Sequence, residues 1–144
     1  LSSVTGRVVF RAVTYSLGSW VLIPKQKERY EKFKAQHINN HISKDKCSLT
    51  IHKNPIFSHG NCKETNTFIV SKPGPVMSIW EDEGIPVSNP KYKRNLTQST
   101  KTFTIVVCEF QRKLSKGWCD YTGKRKVNRI VIVGCAGGLP VHYE

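Results

Sequence analysis

A chain of 144 residues closes one hydrophobic core and seldom two, which excludes a multidomain assembly. Only 38% of the residues are apolar, so restraints beyond core burial are expected; five cysteines without a C-x-x-C pair read as a disulfide framework of a secreted, extracellular protein rather than a zinc site. Lys and Arg outnumber Asp and Glu by 23 to 10, giving a net charge of +13 that draws in polyanions from a distance, whether nucleic acid, heparan sulfate or an anionic membrane.

In chain order, Val8 to Ile23 is apolar apart from Arg11 and a few hydroxyls. The Ser16–Ile23 part is like a fragment of a signal h-region, while the whole run is too short and too charged for a membrane span. Residues 1–24 are therefore expected to be a leader-like or mispredicted extension, and residues 25–144 the folded domain. Lys25 to Asn40 carries a helical pattern, with Tyr30, Phe33, His37 and Ile38 near one face at spacings of three and four. A second short helix is expected from Lys44–Asp45 toward His52, ended by Pro55, although Thr50 and Ile51 are indifferent helix formers.

Beyond it the signals turn to strands. Thr67–Val70, Thr102–Glu109 and Arg129–Cys135 are rich in β-branched and aromatic residues, separated by Pro, Gly, Asn and Lys clusters. The expected class is α+β, helices early and antiparallel sheet late. Glu81–Asn95, with Gly84, Pro86 and Pro90, reads as one long exposed loop. Asn95-Leu96-Thr97 is a glycosylation acceptor sequence, relevant if the chain is secreted. His41, His52 and His59 lack metal-ligand spacing and are expected to be structural; no metal and no cofactor are called for.

Three segments carry the chemistry: Gln36-His37 on the first helix, Cys62-Lys63-Glu64-Thr65-Asn66-Thr67-Phe68 entering a strand, and Pro140-Val141-His142-Tyr143 near the end. Together they resemble the pancreatic ribonuclease superfamily, and the Cys-Lys-x-x-Asn-Thr-Phe string is the specific part of that resemblance. Cys135-Ala136-Gly137-Gly138-Leu139-Pro140-Val141-His142 and the short Trp80–Arg94 connection look most similar to its angiogenin and fish ribonuclease branches. The resemblance implies three short helices packed on a twisted, V-shaped antiparallel sheet stapled by disulfides. It also implies a monomeric endoribonuclease that cuts single-stranded RNA on the 3′ side of pyrimidines.

Such cleavage needs one group to take the proton of the 2′-hydroxyl and another to protonate the departing 5′-oxygen. Two imidazoles titrating near neutrality suit both tasks. By resemblance His37 is the base, His142 the acid, and Lys63 the cation facing the charge that builds on the phosphorane oxygens. Gln36 would bond a phosphate oxygen and Thr67 would read the pyrimidine edge, with Asn66 beside it. Tyr143 stands at the aromatic wall of that base pocket, and Glu144 stands where the family has an acid orienting the second histidine. Lys32 would hold a flanking phosphate.

The resemblance pairs Cys47 with Cys108 and Cys62 with Cys119. The partner position of Cys135 holds Trp80, so Cys135 is expected to be unpaired. Pro73 and Pro75 sit where the family forms its third helix, which is expected to start late or be distorted. A second reading lets the charge act by itself, with heparan sulfate, a microbial or other anionic membrane, or a cell-surface receptor as partner; Lys91-Tyr92-Lys93-Arg94 and Lys124-Arg125-Lys126 fit it.

Overall fold

The structure, a computed structural model, describes residues 24–79, 84–89, 94–136 and 139–143. Side chains at 88–89, 94–95, 135–136 and 139–142 lie outside that description. The chain divides into two compact units. One comprises residues 1–34, 73–102 and 130–144, and the other residues 35–72 and 103–129.

Helix α1 (Pro24–His37) is the first expected helix, and it buries Tyr30 and Phe33 as their spacing requires. Lys34 reinforces it on the outside, bonding Glu31 at 2.9 Å while its ammonium lies over the Tyr30 ring. The helix stops at His37, three residues before the expected Asn40, because the chain turns into an extended pairing: Ile38 bridges Ile69, and the Asn39 N–H donates to the Ile69 carbonyl at 3.0 Å.

The unit that holds residues 35–72 and 103–129 is built on helix and hairpin. A 3-10 turn (Lys44–Lys46) leads into α2 (Cys47–Lys53), which ends before Pro55 as expected. Strand β1 (Phe57–Ser58) pairs with β2 (Asn61–Cys62). The two-residue tip, His59 and Gly60, has positive φ at both positions, the backbone of a type I′ hairpin.

The main sheet of this unit has the order β3 (Thr65–Ile69), β6 (Phe103–Lys113), β7 (Cys119–Arg129). All pairs are antiparallel, with Thr67 opposite Val107 and Val107 opposite Lys124. Beneath it lie Ile51, Ile56, Phe68 and Val106, all fully buried, with the Cys47–Cys108 and Cys62–Cys119 disulfides. Each such aliphatic or aromatic side chain contributes roughly 1.5–3 kcal/mol. Both bridges match the pairing implied by resemblance.

Strand β7 is absent from the sequence expectation, since its Lys-, Arg- and Gly-containing run has poor strand propensity. It forms because it is the edge partner of β6, where charged side chains are tolerated and useful. Gly123 lets it approach the helix: a Cβ there would lie 2.2 Å from the Lys44 carbonyl oxygen and 2.8 Å from Cys47 Sγ. The Ser48 hydroxyl completes the junction by accepting the Tyr121 N–H at 2.8 Å.

The other unit contains α3 (Pro73–Met77) and a sheet ordered β4 (Ile85–Asn89), β5 (Arg94–Gln98), β8 (Ile132–Ala136), β9 (Leu139–Tyr143). Two expectations are corrected here. Helix α3 begins at Pro73 itself rather than late, because prolines in a first helical turn remove only N–H groups that have no helical partner anyway. The stretch Glu81–Asn95 read as one exposed loop contains β4 and the first two residues of β5, which pair antiparallel, with Val87 opposite buried Leu96 just beyond that stretch. Pro86 misled the reading, and it is accommodated because β4 is an edge strand. Ser99 stitches this unit, its hydroxyl accepting the Val131 N–H at 2.9 Å. Residues 1–23, Trp80, Lys91–Lys93 and Glu144 lie outside the described residues, as do the side chains of Asn95 and Cys135. No helix among the described residues is long and apolar enough to cross a membrane.

Candidate active site

The last turn of α1 and the start of β3 bring five of the expected residues together within one unit. His37 Nδ1 lies 2.9 Å from the Thr67 carbonyl oxygen. A carbonyl only accepts, so Nδ1 carries the proton and Nε2 is the basic nitrogen of the neutral ring. The backbone of β3 thus selects the tautomer that a base requires. Thr67 faces up from the middle of β3, half-buried, its neighbours across the sheet being Val107 and then Lys124.

Asn66 points to the opposite side and is buried. Its Oδ1 accepts from Lys63 Nζ at 2.9 Å, and its Nδ2 donates to the Gln36 carbonyl at 2.8 Å. One carboxamide therefore ties the lysine to the helix that carries His37. The sequence reading puts Asn66 among substrate contacts. The structure engages both ends of its amide within the protein, on Lys63 and on the Gln36 carbonyl.

A second support of Lys63 escapes the sequence reading altogether. The Tyr121 hydroxyl donates to the Lys63 backbone carbonyl at 2.5 Å, while the Cys62–Cys119 bridge fixes the preceding residue. Burial pushes the Tyr121 phenol above its ordinary value, in the direction that favours the donating, protonated form. A tyrosine two residues after the bridging Cys119 is the only sequence trace of this role, and periodicity does not single it out.

Lys32 is exposed on α1, one and a half turns before His37. His142 and Tyr143 stand on β9, paired through their backbones with Gly134 and Val133. The His142 side chain is outside the described residues; the Tyr143 side chain is half-buried. Of the other histidines, His52 supports a turn: its Nε2 accepts the Cys119 N–H at 2.9 Å, and its ring stacks on Trp118 at 3.8 Å.

A histidine of fixed tautomer beside a tethered lysine and a strand edge able to read a planar ring is the arrangement expected of a phosphodiester-cleaving site. Comparison with known proteins gives the lineage. The pancreatic ribonuclease family matches residues 28–144. Ribonuclease-like 3 of Danio rerio is 31% identical over 140 residues, covering 95% of this chain and 91% of that protein. Angiogenin-1 of Bos taurus is 30% identical over 131 residues, 89% of this chain and 84% of its own. Among solved structures, the X-ray structure of zebrafish RNase5 is similar with a TM-score of 0.76 and 31% identity, covering 86% of this chain and 98% of that one. This chain belongs to the pancreatic ribonuclease family.

Proposed function

We propose that the protein is a secreted endoribonuclease that cuts single-stranded RNA on the 3′ side of pyrimidines. The observation that carries this reading is the Nδ1 bond of His37 to the Thr67 carbonyl, set beside the Lys63–Asn66–Gln36 chain of hydrogen bonds. In the first step the 2′-hydroxyl gives its proton to His37 Nε2 and its oxygen attacks the adjacent phosphorus. The P–O5′ bond breaks, and the departing oxygen takes a proton from His142, leaving a 2′,3′-cyclic phosphate. In the second step water gives a proton to His142 as its oxygen attacks that phosphorus, the P–O2′ bond breaks, and O2′ takes the proton held by His37, leaving a 3′-phosphate.

Charge gathers on the non-bridging oxygens as phosphorus becomes pentacoordinate, and the Lys63 ammonium neutralises it where water is scarce. The Thr67 backbone and hydroxyl offer a donor and an acceptor to a pyrimidine edge, with Tyr143 as the wall of the base pocket. Gln36 and Lys32 bond phosphate oxygens, and Glu144 orients His142. Two disulfides support an extracellular setting, since such bridges persist where the medium is oxidising.

The test is cleavage of a single-stranded RNA containing one pyrimidine, with His37→Ala and His142→Ala beside the unmodified chain. The expected result is scission after that pyrimidine and a cyclic phosphate end, with rates at least about a hundredfold lower in both variants. Absence of cleavage by folded protein overturns the reading. The net charge of +13 favours a second one: a cationic protein acting through a polyanion, an anionic membrane or a receptor, in which the His142→Ala variant keeps the biological effect.

A further inference from the structure

Trp118 stands at the tip of the β6–β7 hairpin and has no part in the catalytic reading. It follows a tight turn, Ser115–Gly117, and its carbonyl accepts the Leu114 N–H at 2.7 Å. One face of the indole lies flat on the His52 ring, with 3.8 Å between centroids and 5° between planes. His52 is itself held from two sides: its Nε2 accepts the Cys119 N–H, and Phe57 meets its ring edge-on at 5.4 Å. Trp118 is nevertheless 37% exposed, so its open part is the face turned away from His52 and the ring edge. Cations flank it. Lys116 is exposed two residues before it, and the Lys113 stem runs along Gly117, its Cε 3.9 Å from where a Cβ on that glycine would stand. Neither lysine has an ion-pair partner among the described residues, and the nearby Asp120 is taken by Arg112 at 3.4 Å.

We propose that Trp118 is a stacking platform for one base of a single-stranded RNA, outside the linkage that is cut. An indole fixed in plane by His52 offers a rigid π face on which a base can lie, and the cations at its rim suit the adjoining phosphates. Grooves for single strands combine aromatic rings with cations in this way, and they tolerate sequence because every base has such a face. An anionic membrane would call for an apolar face that sinks among the lipid chains, whereas Trp118 and Phe57, each 37% exposed, are both pinned against His52. Position agrees. The Cα atoms of Cys62 and Cys119 are 5.8 Å apart across their disulfide, and Lys63 and Trp118 are the residues next to them, so the Cα atoms of those two are at most about 13 Å apart. A strand with its reacting phosphate at Lys63 reaches Trp118 within a few nucleotides. The ligand follows from the ribonuclease reading, on which this proposal rests; the platform adds affinity rather than chemistry.

The experiment is fluorescence anisotropy of a labelled 2′-O-methyl oligonucleotide of about eight nucleotides, which lacks the hydroxyl needed for cleavage, titrated with the full chain at about physiological salt, where long-range attraction is damped. Trp118→Leu is expected to weaken binding about tenfold, as the loss of one stacked base implies, while Trp118→Tyr, which restores a ring, stays within about threefold of the unmodified chain. On an oligomer of the same charge that is abasic everywhere but at one pyrimidine, the Trp118→Leu penalty is expected to vanish to within about twofold. Unchanged affinity in Trp118→Leu, an equal penalty on the abasic oligomer, or binding to phosphatidylglycerol vesicles that needs Trp118 while oligomer binding does not, overturns the proposal. A chain that binds the oligomer through Trp118 yet cuts no RNA overturns only the ribonuclease reading; one that cuts RNA with an oligomer affinity indifferent to Trp118 overturns only the platform. Circular dichroism of each variant, matching the unmodified chain, assigns a loss to the platform rather than to folding.

Discussion

Asn66 decides how firmly Lys63 is held. It is buried with its oxygen on Lys63 and its nitrogen on the Gln36 carbonyl, so Asn66→Ala removes two bonds and takes from the part-buried Gln36 carbonyl its side-chain donor. The expected loss is about 1–3 kcal/mol of stability, read by urea unfolding. Without urea and at a temperature where the variant is folded, kcat is expected to fall about tenfold or more with KM changed little, since the proposed mechanism has the lysine act on the transition state. A rise in KM alone would instead mark Asn66 as a substrate contact. Tyr30 makes a different kind of statement: burial, with the Glu31 carboxylate beside it, pushes its phenol up to about 12. In the unfolded chain it ionises near 10, so between about pH 10 and 12 the unfolded state sheds a proton that the folded state keeps. Its contribution is whole below pH 10 and is lost as pH rises toward 12. Thermal unfolding across that range is expected to show a steeper alkaline fall in the native chain than in Tyr30→Phe; identical slopes would mean that Tyr30 is accessible.

At the level of elements, the junction between α2 and β7 has no slack. A methyl at Gly123 would strike the Lys44 carbonyl and Cys47 Sγ, both backbone-anchored by the turn and by the Cys47–Cys108 bridge. Gly123→Ala is expected to lower stability by about 1–3 kcal/mol, with a lower Tm in calorimetry, whereas Gly74→Ala, whose added carbon meets nothing within 4 Å, should leave Tm nearly unchanged. The same junction explains what the sequence conveys and what it hides. Helix α1 is legible because Tyr30 and Phe33 repeat at helical spacing on a lone amphipathic element, and α2 because Pro55 marks its end. Strand β7 is hidden because its stability comes from pairing with β6 and from Ser48 across the junction, neither of which local composition records. Pro86 hides β4 for a related reason, as a proline argues against a strand until the strand is known to lie on an edge. In the site, the positions Lys63, Asn66 and Thr67 are readable through family resemblance. The division of labour is not: Asn66 faces inward, and Tyr121, 58 residues from Lys63 along the chain, is brought to it only by folding.

Across the whole molecule, the proposed function has the charge of +13 and the geometry around Lys63 act on different steps. The diffuse charge works over a distance comparable with the screening length, about 10 Å at 0.1 M salt, and is weakened as salt rises. Lys63, half-buried and bonded to Asn66, meets the reacting phosphate at contact distance in the proposed mechanism, where mobile ions screen little. Encounter with RNA is therefore expected to be salt-sensitive and the chemical step is not. For a single strand touching about three phosphates, the logarithm of affinity should fall against the logarithm of salt with a slope of about −2. Initial rates on one oligonucleotide between about 0.05 and 0.3 M salt then show KM rising along that slope while kcat holds within about twofold. Should kcat carry the salt dependence and KM stay flat, the surface charge would not be steering RNA to this site. The excess of lysine and arginine would then serve another polyanion.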